Sequence, residues 1–527
     1  MRCLITDDLS PACLALLRDA GVEPAIHVGV SPDELKRLAP DADAWLIRSG
    51  TRVTSDLIDS AARLRVIGRA GVGVDNVDLD AATRRGVLVV NAPDGNTVST
   101  AEHTCALLLS LARQVPRAAS SIADGRWDRK QFTGVELDGK TLGVVGLGKV
   151  GRAVAERMRG FGMRVLAYDP VLAPEVAERA GAEPVPLERI WAESDFLTFH
   201  TPLNDATRGL LSRDTLAQCR DGVMVVNAAR GGIVDEAALL EGLESGKVGG
   251  AALDVFSEEP PPAALRSLLA HPRVVATPHI AASTDEAQEK VAIQVTEDVL
   301  RALAGEPVRN PVNGAGLRRA ADPEAAPYLA LAEKLGRVAA QLAPGPVTGV
   351  TVAVEGPSVQ PYAEAVMLAA LAGVLQPSSD VPVNLVNAAV LARERGLRFE
   401  ERIRPEPEDF AGAVEVTVEA GDATLTLRGA VFGRGDGRLV GLDRFRFEVR
   451  PEGHLLFYNN EDRPGVVAAV GALLAAAGVN IAGMALGREA RGGTALTVLT
   501  TDEPLEARVL AAVAAVAGVH DVRAVTA

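Results

Sequence analysis

Between about residues 140 and 280 the chain alternates short, continuous apolar runs with amphipathic stretches. The runs are TLGVVGLG, RVLAYD, FLTFHT, VMVVNAA, GAALDVF and VVATPHI, each rich in Val, Leu or Phe. Strands without polar alternation suit a parallel sheet covered on both faces. RAVAERMRGFG and DEAALLEGLESG separate some of them as helices, so the pattern predicts a doubly wound α/β unit. Residues 1–98 predict a second α/β unit, with strands in RCLITDD, AWLIRSG, RVIGRAG and VLVVNAP. After HIAAST, Ser283 with Glu286 predicts a capping box. Val291, Val295, Val299 and Leu303 follow at four-residue spacing, and Gly305 ends the helix. VRNPVN returns toward the first unit, and GAGLRRAADPEAA reads as a linker. Two smaller α+β units are expected beyond it, over about 325–452 and 453–527.

The 527 residues suggest three or four domains at ~100–200 residues each. A composition 48% hydrophobic and 23% charged is that of an ordinary globular protein. The net charge of −15 argues against a nucleic-acid or anionic-membrane binder. A site for an anionic ligand must therefore gather its arginines locally. Cys3, Cys13, Cys105 and Cys219 are scattered without metal-ligand spacing, so a reduced chain without a metal site is expected. The start, MRCLITDDLSPACLALL, has acids where a signal peptide needs an apolar run. The longest apolar run, Val466 to Val479, falls short of the ~20 residues that cross a bilayer. A cytoplasmic protein is expected.

Gly146, Gly148 and Gly151 fill a G-x-G-x-x-G pattern between a strand and a helix. The first permits a tight turn, the second lets backbone approach a pyrophosphate, and the third lets helix and strand pack closely. The phosphates would rest on the helix N-terminus. Asp169 ends the second strand, 18 residues after Gly151. A carboxylate there binds ribose hydroxyls and repels a 2′-phosphate, which favours NAD over NADP. Other polar residues also follow strands: His200 and Thr201, Arg230, Asp254 and Glu259, and His279. Ligands of open parallel sheets bind beyond the carboxyl ends of the strands, so these residues outline one rim.

Hydride transfer from an alcohol needs a base, and histidine is the usual one. Of the seven histidines, His27, His271, His454 and His520 have no motif around them. His103 lies in the apolar helix STAEHTCALLLSLAR and reads as a satisfied core or helix-packing residue; His200 reads as cofactor-lining. His279 is on the rim, and the small segment Ile-Ala-Ala-Ser-Thr after it leaves room for a ligand.

NAARGGIVDEAAL, AALDVFSEEP and TPHIAAST, in that order after GLGKVG, resemble the D-isomer-specific 2-hydroxyacid dehydrogenase family over about residues 1–313. The resemblance implies that Arg230 binds the substrate carboxylate and carbonyl oxygen, and that His279 is the acid/base. It implies that Glu259 pairs with His279 and holds its tautomer; on sequence alone Glu258 competes for that role. The implied NAD contacts are Gly146, Gly148, Lys149, Val150 and Gly151, then Asp169, Thr201, Ala228, Ala229, Arg230, Asp254, His279, Ala281 and Ala282. The implied architecture is a discontinuous flavodoxin-like substrate lobe, 1–98 plus 285–313, a Rossmann-type NAD domain, 99–284, and two α+β regulatory domains, 325–452 and 453–527.

Arg48 and Arg69 end strands of the first unit and face the expected cleft. A singly charged acid needs only Arg230, so two more arginines suit a second anion such as phosphate. Arg129 and Lys130 could add charge from a neighbouring subunit. HLLFYNNEDRPG, VVAAVGALLAAAG and VNIAGMALGRE resemble a small regulatory ACT domain. Residues 325–452, with VNLVNAAVLARERGL and FGRGDGRLVGLDRFRFEVRP, resemble the intervening domain of the long bacterial members of the family. Those members act on 3-phosphoglycerate, feed L-serine synthesis and form homo-oligomers, dimers or tetramers. The resemblance implies an L-serine effector site at Asn460, Asp462 and Asn480. Pro464 and Gly465 are expected to start the first ACT helix. Arg444, Arg446 and Arg450 are read as the solvated face of a strand, or alternatively as an anion site. A reductase for glyoxylate or hydroxypyruvate, and an NAD-sensing corepressor-like protein, are the competing readings.

Overall fold

A computed structural model describes all residues except 307, 315, 321, 380, 407, 408 and 434, and describes only the backbone of 318. The expected linker contains 315 and 321, and the FGRGDGRL ending contains 434; at those positions the expectations lie outside the described residues.

Four sheets organise the chain. The first holds β1 (Arg2–Ile5), β2 (Glu23–Ile26), β3 (Ala44–Ile47), β4 (Val66–Arg69) and β5 (Leu88–Asn91). All are parallel, in the flavodoxin-like order β2-β1-β3-β4-β5. β2 escaped the sequence reading because EPAI is short and mostly exposed. The second sheet holds β6 (Thr141–Val145), β7 (Arg164–Tyr168), β8 (Glu183–Pro184), β9 (Phe196–Phe199), β10 (Val223–Asn227), β11 (Val248–Leu253) and β12 (Val274–Ala276). It too is parallel, in the order β12-β11-β10-β9-β6-β7-β8. That order reverses between β6 and β9, where a doubly wound sheet opens its ligand crevice.

Helix Asp285–Ala304 returns the chain to the first sheet. Val291, Val295, Val299 and Leu303 are buried among Cys3, Ile5, Leu46 and Val66. Each such side chain contributes roughly 1.5–3 kcal/mol by leaving water. The helix ends at Gly305 in the left-handed conformation, as expected. Its cap differs: Thr284, not Ser283, accepts the N–H of Ala287. Asn313 then bonds to Val89 N, Val87 O and Thr83.

The third sheet holds β13 (Gly349–Glu355), β14 (Arg398–Arg404), β15 (Ala413–Ala420), β16 (Ala423–Phe432), β17 (Asp436–Leu442) and β18 (Phe445–Val449), in the order β14-β13-β15-β16-β17-β18. Phe445, Phe447 and Val449 point inward, as expected. Arg444 pairs with Glu489, Arg446 with Asp409 and Arg450 with Asp436, so each arginine already has a carboxylate. The fourth sheet holds β19 (His454–Glu461), β20 (Ile481–Arg488), β21 (Thr494–Thr501) and β22 (Val519–Thr526). It is antiparallel, in the order β20-β21-β19-β22, with helices Val466–Ala476 and Ala507–Ala514 on one face. The first of these begins at Val466: Gly465 is its left-handed N-cap and Pro464 precedes the cap.

Alternation along β19 joins these last two units. Leu456 and Tyr458 meet the helices of their own unit. Leu455 and Phe457 share a core with Val449, Phe447 and Leu342 of the preceding unit. Asn384 and Asn387 donate to the carbonyls of Gly86 and Arg84, linking the third unit to the first. Among the described residues, no helix is long and apolar enough to cross a membrane.

Candidate active site

Both parallel sheets turn their carboxyl ends toward one cleft. Ion pairs across it, Arg230 with Asp75 and Lys149 with Asp94, show that the two rims face each other. On the second sheet's rim, Gly146 has φ 91°, and a Cβ there would stand 2.6 Å from His200 O. A Cβ at Gly151 would run into Gly146 O, whereas Gly148, the N-cap of helix Lys149–Arg159, faces open space. A tight turn, a close helix–strand approach and an open helix N-terminus are what a pyrophosphate needs.

Asp169 accepts from Leu147 N (2.9 Å), Val171 N (3.0 Å) and Leu172 N (3.2 Å). A carboxylate offers about four acceptor positions, so one remains for a ribose hydroxyl. Thr201 Oγ1 is buried and has no protein partner, and an absent polar ligand would supply one. The residues fit a dinucleotide. Val150, Ala228 and Ala281 line the same region, packed into the core beneath it. His200 bonds to Thr198 Oγ1 at 3.0 Å, and burial pushes its pKa down to about 4. It is therefore neutral at pH 7, which suits a lining role and not a cationic one.

His279 Nδ1 lies 2.6 Å from Glu259 Oε2, so Glu259 and not Glu258 is its partner. The other oxygen of Glu259 accepts from Phe256 N at 3.1 Å. Burial pushes the Glu259 carboxyl up, but the bonds from His279 and Phe256 outweigh it and leave it below the ordinary glutamate range. A carboxylate at Nδ1 fixes the proton there and leaves Nε2 as the ring's free lone pair. His279 has φ 55°, a conformation that points to a site built for function. Asp254 holds the backbone that follows it: its fully buried carboxylate accepts from Ile280 N and Ala281 N, both at 2.9 Å.

His103 is a largely buried, satisfied residue, as expected, and its partners belong to the site. Its Nε2 lies 3.2 Å from Thr277 Oγ1 and 3.4 Å from Asp254 Oδ1, and Thr277 Oγ1 donates to Asp254 at 2.5 Å. Burial raises the Asp254 pKa, while these side chains and the two backbone N–H groups together bring it below the ordinary value. The signal was available: a histidine beside the buried Ala101, Thr104 and Cys105 needs a polar partner.

The arginines form a cluster. Asn227, itself buried, braces the turn after β10, accepting from Ala229 N and donating to Arg230 O. Arg48 N donates to Asp7 Oδ2 at 2.8 Å, and its guanidinium reaches Asp8 O. Arg69 is the most enclosed, and its Nε is buried without a partner. Burial first, and then the charges of Arg230 and Arg48, push its pKa down to about 10 against the pull of Asp75 and Asp7. Three cations held this close are relieved by an anion.

The residues expected to hold an effector separate within one chain. Asn460 is buried and satisfied, accepting from Thr497 Oγ1 and donating to Glu461 O. Asp462 pairs with Arg488 and accepts from Gly492 N. Asn480 bonds to Asp502 Oδ2. Ile481 pairs with Thr501, the partner of His454, whereas Glu461 pairs with Thr494. Asn480, level with Asp502, therefore stands at the opposite end of the sheet from Asp462, level with Gly493, about nine residues along β21 or roughly 30 Å away.

The model of the D-isomer specific 2-hydroxyacid dehydrogenase NAD-binding domain matches residues 105–281. The D-3-phosphoglycerate dehydrogenase intervening domain matches 324–443, and the ACT domain matches 454–518. The D-3-phosphoglycerate dehydrogenase of Archaeoglobus fulgidus is 42% identical, over 99% of each chain. The chain belongs to the D-3-phosphoglycerate dehydrogenase family. The Bacillus subtilis D-3-phosphoglycerate dehydrogenase is 41% identical over 97% of this chain and 96% of its own. Aquifex aeolicus D-lactate dehydrogenase, solved with NAD and lactic acid, is 26% identical with a TM-score of 0.53, covering 58% of this chain and 96% of its own. As a member of this family the protein is an NAD-dependent dehydrogenase of D-2-hydroxy acids, with a regulatory ACT domain.

Proposed function

We propose that the enzyme oxidises 3-phospho-D-glycerate with NAD to 3-phosphooxypyruvate, the first step toward L-serine. NAD, when bound, accepts the hydride from the carbinol carbon. His279 Nε2 takes the hydroxyl proton, and Glu259 stabilises the imidazolium that forms. Arg230 holds the carboxylate and carbonyl oxygen, and Arg48 and Arg69 receive the phosphate. The arginine cluster carries this reading, above all the unpartnered Nε of Arg69. Unphosphorylated acids such as glyoxylate or lactate leave that donor without an acceptor.

Arg48→Ala tests the phosphate assignment. KM for 3-phosphoglycerate should rise at least tenfold, the worth of one charge-assisted bond of ~1.5–3 kcal/mol, with KM for glycerate nearly unchanged. Equal rises for both acids would reject it. L-serine is the proposed effector, bound where Asp462 of one ACT domain meets Asn480 of a second copy, in a homo-oligomer of the cytosol; Asn460, buried and bonded to Thr497 and Glu461, braces that loop instead of binding the ligand. The separation of these residues within one chain supports a shared site, and calorimetry with L-serine checks it. The domain limits 1–98 plus 285–313, 99–284, 325–452 and 453–527 belong to the same proposal.

A further inference from the structure

The contact between Arg230 and Asp75 joins the two rims of the cleft. Arg230 Nε donates to Asp75 Oδ2 at 3.2 Å, and Nη1 donates to Ala229 O at 2.6 Å. A guanidinium has five N–H donors in one plane. Two are thereby engaged and three remain, with the plane fixed from both sides. The contact is also built into the chain around it. A Cβ at Gly73 would run into Arg230 Nη2 and stand 2.8 Å from Asp75 Oδ2, so a larger residue there would displace these two side chains. The next residue, Asn76, donates to Arg48 O (2.7 Å) and Thr51 O (2.5 Å). Gly71 N donates to Arg69 O (2.9 Å), and a Cβ at Gly71 would run into the Arg69 guanidinium. Residues 71–76 thus touch all three arginines of the cluster.

We propose that Asp75 is a positioning residue for the dehydrogenation: from the opposite lobe it holds Arg230 so that the remaining N–H fork meets the substrate carboxylate. Arg230 comes from the rim that carries His279, and Asp75 from the rim that carries Arg48 and Arg69. The bond therefore registers the carboxylate against the base only when the two lobes stand in this arrangement. Asp75 touches no reacting atom; it acts through Arg230. The inference rests on the assignment of Arg230 to the substrate carboxylate.

Steady-state kinetics on Asp75→Ala and Asp75→Asn test it. Asparagine keeps an acceptor oxygen for Arg230 Nε but loses the charge; alanine loses both. The side chain of Asp75 is 68% exposed, so both variants should fold. A guanidinium released to wander by about an ångström costs up to 10²-fold. Asp75→Ala should therefore lower kcat with 3-phosphoglycerate by about 10- to 100-fold, while the NAD dissociation constant holds. Asp75→Asn should stay within about threefold of the parent enzyme. An unchanged kcat in Asp75→Ala would overturn the proposal. So would a fall in KM of the same size in both variants, because Asp75 would then act only as a counter-charge. Arg230→Ala measured alongside separates the two assignments. If it turns over normally, the carboxylate assignment fails; if it is inactive beside a normal Asp75→Ala, only the role of Asp75 fails.

Discussion

His279 adopts φ 55°, and a non-glycine residue held there costs on the order of 1–3 kcal/mol. The offset is visible in its surroundings. Asp254 fixes the two backbone N–H groups that follow, and Glu259 fixes Nδ1. A base positioned this closely should account for a large share of the rate, so His279→Ala should lower kcat by ~10²–10⁴. NAD affinity, followed by fluorescence titration, should stay within a few-fold. Asp254 makes a second prediction, for stability against pH. Its folded pKa lies below the ordinary value of 3.8. Its contribution is therefore fully present above about pH 4 and is lost as pH falls through the lower folded value. Urea unfolding should show Asp254→Asn less stable than the parent at pH 7, with the gap narrowing as pH falls below the ordinary aspartate value of 3.8. Arg230 and His279 were legible as rim residues because each follows a strand in a motif; Glu259 was set apart from Glu258 only by the resemblance to the family. The partners of His103 and Asp75 were not legible, although the need for a polar partner was plain at His103. The first residue has its partner 151 positions away, and the second pairs with an arginine 155 positions on. Such pairings exist only once the sheets are folded.

Among the elements, the continuous apolar runs were the most legible, because a parallel strand buried on both faces tolerates little polarity. Six of seven strands of the second sheet were readable from this alone; β8 is two exposed residues, Glu183 and Pro184. Cap positions were less legible. Ser283 and Thr284 are both good N-caps, and only the turn made by Ser283 N with Ile280 O decides between them. Because Thr284 is the residue bonded, Thr284→Ala should cost about 1 kcal/mol by denaturant unfolding, within the usual ~0.5–2 kcal/mol. Ser283→Ala should cost much less, and the reverse order would return the cap to Ser283. The entrance of helix Val466–Ala476 shows the same limit. Pro and Gly mark a start, but only the φ of 97° at Gly465 places it.

Across the whole molecule, hydrogen bonds among the described residues join the first unit to the C-terminal sheets. The third and fourth sheets share one core through Leu455 and Phe457. Asn384 and Asn387 carry that body onto the Gly86 turn beside the first sheet. In an acidic chain, at −15, Arg48, Arg69 and Arg230 converge beside Asp7 and Asp75 and leave the buried Nε of Arg69 unpaired. Charge balance across the cleft thus leads to the central claim, that the substrate bears a phosphate as well as a carboxylate. The direct test is initial-rate NADH formation with NAD and 3-phosphoglycerate, glycerate or lactate at alkaline pH. 3-Phosphoglycerate should give a kcat/KM at least 10²-fold above either unphosphorylated acid. Equal or better turnover of glycerate or lactate would contradict the assignment.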